Sequence, residues 1–134
     1  NKDSLKTYKH LLEPTLTKIK EYNQELQNEI NDHSLSGVSN VLCSLLFSVN
    51  TYGIIIGIDL DKSFDIVHQS NMTKICDNEE LAKETVNWYL DNDSRYKSPD
   101  YFKNDYGYVI HNKDTGKVLK SIKYTPADFS SLLG

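Results

Sequence analysis

Arginine is almost missing from this chain: Arg95 stands alone against fourteen lysines, and alanine occurs only twice among twelve asparagines. That bias points to an AT-rich genome and carries no functional meaning. Cysteine is scarce as well. Cys43 and Cys76 do not make a disulfide framework, and Cys43 lies in an apolar run where a buried thiol is the ordinary expectation. A basic excess is missing too, since the formal net charge is −4. Nucleic-acid binders usually carry a basic face, so that class is set aside. No glycine-rich phosphate loop and no nucleophile elbow occur. No apolar stretch follows a basic start as in a signal peptide. The strongest candidate for a membrane span, Val38 to Ile58, is interrupted by Ser39, Asn40, Ser44, Ser48, Asn50 and Thr51. It reads instead as a helix followed by a strand.

What is present describes a folded domain. The chain has 134 residues, 38% hydrophobic and 25% charged, enough for one core without metal or disulfide support. Leu5, Tyr8, Leu12, Leu16, Ile19, Tyr22, Leu26 and Ile30 recur every three or four residues. That stripe predicts a long amphipathic helix over about 4–33, interrupted at Pro14. Packing on a sheet or a dimer seam would each account for it. Residues 38–50 read as a second, mostly buried helix.

Two hairpins are expected next. Gly53–Asp59 and Phe64–His68 form the first, and Tyr106–His111 and Lys117–Ile122 the second, with Gly116 in its turn. Between them, Asp77–Glu80 opens a helix through Leu81, Ala82, Thr85, Val86, Trp88 and Tyr89, ending near residues 91–93. The prediction is a single α+β domain over residues 1–134, with a long N-terminal helix packed on an antiparallel sheet.

Catalytic chemistry finds little footing. The run Ile54–Ser63 imitates the strand-Asp-x-Asp opening of haloacid-dehalogenase-type phosphotransferases, with Asp59 as nucleophile and Asp61 as general acid. The βαβ pattern those enzymes require is absent. Asp59, Asp61, Ser63 and Asp65 match the first positions of a calcium loop, but Phe64 and Ser70 stand where glycine and glutamate are required. His10, His33, His68 and His111 share no metal-ligand spacing. No catalytic residue, metal or cofactor is therefore assigned. The segment Arg95–Tyr108 holds the lone arginine and four tyrosines. A guanidinium fork and flat aromatic rings suit a small-ligand pocket, although the same rings would serve simply to pack the loop on the sheet.

The element order and the hairpin Tyr108-Val109-Ile110-His111-Asn112-Lys113-Asp114-Thr115-Gly116-Lys117-Val118-Leu119 resemble the PAS-like, Cache-type ectodomains of bacterial sensor histidine kinases of the clostridial type. The resemblance implies an extracytoplasmic signal-sensing domain, tethered to the cell membrane, with a PAS-like antiparallel sheet and no catalysis of its own. It implies an amino-acid or carboxylic-acid ligand held by Arg95, Tyr96, Tyr101, Asp105 and Tyr108. It further implies a homodimer through the N-terminal helix. The Trp-Tyr pair that usually follows the family's arginine is missing. Both ends fit a segment cut from a longer protein whose flanks carry the membrane spans. The alternative from another class is a small acidic protein-binding module of the immunity or antitoxin kind, using the acidic 59–65 stretch.

Overall fold

The computed structural model describes residues 2–133. As expected the protein is α+β. It divides into two compact units, one running to Ser63 with the C-terminal segment from Phe129, the other Phe64–Asp128.

The first unit is helical. A short α1 (Lys2–Thr7) breaks at Tyr8 and is followed by α2 (Lys9–Asn31). The break therefore falls at Tyr8, and Pro14 lies inside α2, where it removes one backbone donor without ending the helix. A turn with His33 at φ 54 reverses the chain, and the Ser34 N–H closes it onto the Glu29 carbonyl at 3.0 Å. The Ser34 hydroxyl accepts from the Gly37 N–H at 3.1 Å and caps α3 (Leu35–Ile56). α2 and α3 pack together, so the long N-terminal helix has a second helix as its partner within its own unit. Leu12 and Val41 are buried there.

The first expected hairpin is absent. Residues 53–56 continue α3, and residues 64–68 lie in α4 (Leu60–Met72). Once α3 has nucleated upstream, each added residue costs little, so the β-branched Ile54–Ile56 run is carried along as helix. Gly57, at φ 75, ends it in the left-handed region where side chains are disfavoured. Asp59 then accepts from the Lys62 N–H at 3.1 Å and starts α4. The aspartates read as a phosphotransferase signature thus open a helix, and no nucleophile-bearing strand precedes them. α6 (Ser130–Leu133) closes the chain.

The second unit holds the sheet. α5 (Glu79–Asn92) starts where expected, capped by Asn78, whose side chain accepts from the Leu81 N–H at 2.8 Å. β1 (Pro99–Asn104), β2 (Gly107–Asn112) and β3 (Val118–Leu119) form an antiparallel sheet in that order. β2 and β3 are the expected second hairpin, with Gly116 at φ 73 in its turn. β1 lies in the stretch expected as a loop. It turns at Asn104, whose side chain accepts from the Tyr106 and Gly107 N–H groups at 2.9 and 3.1 Å.

Register explains the core. Tyr101, Ile110 and Leu119 stand side by side across the three strands; Ile110 and Leu119 join Leu81, Ala82 and Tyr89 of α5 in the buried cluster, and Tyr101 packs against it. Cys76 joins them as an isolated bridge to Tyr108. Both cysteines are free thiols, Cys43 exposed and Cys76 buried.

Candidate binding groove

The residues singled out in the sequence fall into separate groups. At the C-terminal end of α5, Arg95 grips Asp93 through both carboxylate oxygens, at 2.9 and 2.7 Å. That hydrogen-bonded guanidinium holds the Asp93 carboxyl below its usual range and pushes Arg95 upward in turn. The Arg95 fork thus already has a carboxylate partner from its own chain. Tyr96 lies beneath Arg95 and Lys117, each 5.2 Å from the ring centroid, and its hydroxyl accepts from the Lys117 ammonium at 2.9 Å.

Tyr101 and Tyr108 meet edge to face at 5.9 Å. The Tyr101 hydroxyl donates to Glu79 at 2.8 Å, and that bond raises its pKa. Glu79 opens α5 and Arg95 follows its end, so about 21 Å of helix separates these anchor points. Asp105 is exposed in the β1–β2 turn. Tyr96, Tyr101 and Tyr108 all pack against the core cluster.

A groove opens elsewhere in the same unit, lined by Trp88, Tyr89, Lys120, Ser121, Ile122 and Tyr124, with a volume of about 320 Å³. One wall is α5. Trp88 and Tyr89 meet edge to face at 5.1 Å, and Trp88 is 45% exposed.

The other wall is the strap of residues 120–125, which leaves the sheet after β3 and is held by its main chain. The Tyr89 hydroxyl donates to the Lys120 carbonyl at 2.7 Å. The Ser121 N–H donates to the Lys74 carbonyl at 3.0 Å, and the Ile122 N–H to the Thr85 hydroxyl at 3.4 Å. The Thr125 N–H donates to Thr73 Oγ1 at 2.9 Å, while the Ser70 hydroxyl donates to the Thr125 carbonyl at 2.7 Å. Held this way, Leu119 and Ser121 turn inward and are buried, and Ile122 stays 43% exposed.

Lys120 is the charged side chain in the groove's lining, and Lys74 approaches it from outside. Lys120 lies 4.3 Å and Lys74 5.9 Å from the Tyr124 ring centroid. Burial is the main reason the Tyr89 phenol titrates above the ordinary tyrosine value. An apolar floor of Trp88 and Ile122 beside two ammonium groups suits an apolar side chain with a carboxylate near it. It supplies no nucleophile–base pair. Among the described residues no three His, Cys, Asp or Glu side chains converge as a metal site.

Sequence reasoning missed this groove, although a signal was there. Leu119 and Ser121 alternate with Lys120 and Ile122, and a turn follows in which the Tyr124 N–H donates to the Ser121 carbonyl at 3.0 Å.

The fold class is α+β, and comparison with known proteins adds one relative. No protein-family model matches the chain, and no solved structure matches it. The chain is similar to the uncharacterized protein L479 of Acanthamoeba polyphaga mimivirus, 34% identical over 118 residues, covering 81% of this chain and 44% of that protein. It therefore spans less than half the length of that relative.

Proposed function

We propose that the chain is a non-catalytic recognition module whose groove takes a short acidic segment of a partner protein, anchored by one apolar side chain. The observation carrying this is the half-exposed Trp88 and Ile122 placed beside Tyr124 and its two lysines. Half-exposed aromatic and aliphatic side chains in a concave site are the usual anchors of protein recognition. The flanking ammonium groups favour carboxylates and disfavour basic partners. The extracytoplasmic sensing role implied by the sequence resemblance would be a special case, with a ligand carboxylate held by Lys120 instead of Arg95.

Trp88 is the one tryptophan in the chain, so intrinsic fluorescence reports on the groove directly. Acetylated pentapeptides with a central Leu or Phe flanked by Glu should shift the emission to the blue as Trp88 loses water. The same peptides flanked by Lys should not. Lys120→Glu should abolish the response. Equal responses to both peptide sets, or none to either, would sink the proposal.

A further inference from the structure

Independently of the groove, α3 carries more apolar surface than its own unit uses. Val38, Val41, Leu45, Ser48, Tyr52 and Ile55 follow alternating three- and four-residue steps and are buried or half-buried, the seam facing α2. A second set, Leu35, Ser39, Leu42, Leu46, Val49, Gly53 and Ile56, follows the same rhythm one step around the helix. Toward its C-terminal end this second seam is closed: Gly53 is buried, and a side chain there would run into Leu60 at the start of α4. From Leu35 to Val49 it is open. Leu35 is 80% and Leu46 64% exposed, and on the adjoining flank Phe47 is 75% and Ile54 80% exposed. A helix apolar on two sides belongs inside a bundle.

We infer that the open seam of α3 docks on the same seam of a second copy, so that two α2–α3 hairpins form a symmetric four-helix arrangement. Two observations favour this occupant. No Asp, Glu, Lys or Arg occurs anywhere in α3, so two identical faces meet without like-charge repulsion, which a self-matching interface requires. The repeat of three and four calls for a helix as partner, because such ridges fit another helix at a shallow angle. The open stretch from Leu35 to Val49 gives a surface about 22 Å long and about 10 Å wide. Phe47, Ile54 and the flanks of α2 must add to it before the total reaches about 1,000 Å², the size of a specific interface.

A lipid bilayer is the competing occupant. α3 has the length and composition to cross a membrane, with a mean hydropathy of 1.5 over its most apolar window. However, α2 lies along it with Lys9, Glu13, Lys18, Lys20, Glu21, Glu25 and Glu29. Inserting the pair would place several charges in hydrocarbon, where ionised side chains are strongly disfavoured.

Cys43 supplies the test. It is exposed, next to the midpoint of the open seam, while Cys76 is buried. In either a parallel or an antiparallel symmetric pair the two Cys43 thiols come close together. Sedimentation velocity of the intact chain should show a dimer, and a short bismaleimide should link it through Cys43. The pair Leu42→Glu and Leu46→Glu changes side chains already exposed in one copy. Helical circular dichroism should persist, while the dimer dissociation constant rises by more than about a hundredfold because each substitution acts twice. The single variant Leu46→Lys should act in the same direction. A monomer at high concentration that floats with phosphatidylcholine vesicles would assign the seam to lipid. A monomer that does not float, or a dimer indifferent to all these variants, would also overturn the inference.

Discussion

The two units of this protein hide their apolar residues to very different degrees. In the sheet-bearing unit, Cys76, Leu81, Ala82, Tyr89, Ile110 and Leu119 form one continuous buried cluster. Among the described residues the helical unit buries only Leu12 and Val41 of its large apolar side chains, although α3 is strongly apolar. Apolar content therefore does not determine closure. A sheet lets one helix cover a whole row of side chains, as α5 covers Tyr101, Ile110 and Leu119. A helix pair shares a single seam and leaves the remaining faces to water or to a partner.

Four substitutions sharpen that contrast. Ile110→Ala, at the centre of the closed core, should destabilise the second unit by about 3–4 kcal/mol. Hydrogen exchange should then accelerate in α5 and the sheet while α2 and α3 keep their protection. Equal acceleration in both would mean the units unfold together. Leu12→Ala, in the open unit, should cost about 2 kcal/mol, the low end for such a change, because a sparsely packed seam can collapse around the missing atoms. Chemical denaturation followed in each unit separately would rank the two.

Tyr89→Phe removes the hydroxyl that holds the Lys120 carbonyl and should cost about 1 kcal/mol. It also carries a pH signature. The Tyr89 pKa is raised in the folded state above its ordinary value of 10.0. Its contribution is therefore complete below that pH and is lost as the pH climbs through the folded-state value. The wild type should weaken with alkali beyond pH 10, and Tyr89→Phe should flatten part of that decline in a thermal melt. Smallest of all, Arg95→Ala breaks an ion pair whose arginine is exposed and should leave stability nearly unchanged. A larger loss would mean that Arg95 supports Tyr96 and the core behind it.

The parts that could be read from the residues were those where local and global preferences agree. α5 has its cap at Asn78 and a stripe through Leu81, Ala82, Thr85 and Tyr89, and the β2–β3 hairpin has its turn glycine at 116. Both appear as expected. The run Gly53–Asp59 misled because a short β-branched stretch is ambiguous, and its conformation was decided upstream, by the helix already running from Leu35. β1 was hidden by its polar ends and betrayed only by the Asn104–Gly107 turn. The groove was hardest to see. Trp88 and Tyr124 lie 36 positions apart in sequence, and hydroxyl bonds from Ser70, Thr73 and Tyr89 to the strap's main chain leave no mark in hydropathy.

Those bonds have an evolutionary consequence. The strap's path depends on its carbonyl and amide groups and on side chains of α4 and α5, while Lys120, Ile122 and Tyr124 contribute only what they show to the groove. Their identities can change without altering the loop's shape. The scaffold can therefore acquire a new preference by exchanging three residues, and its fold need not be rebuilt each time.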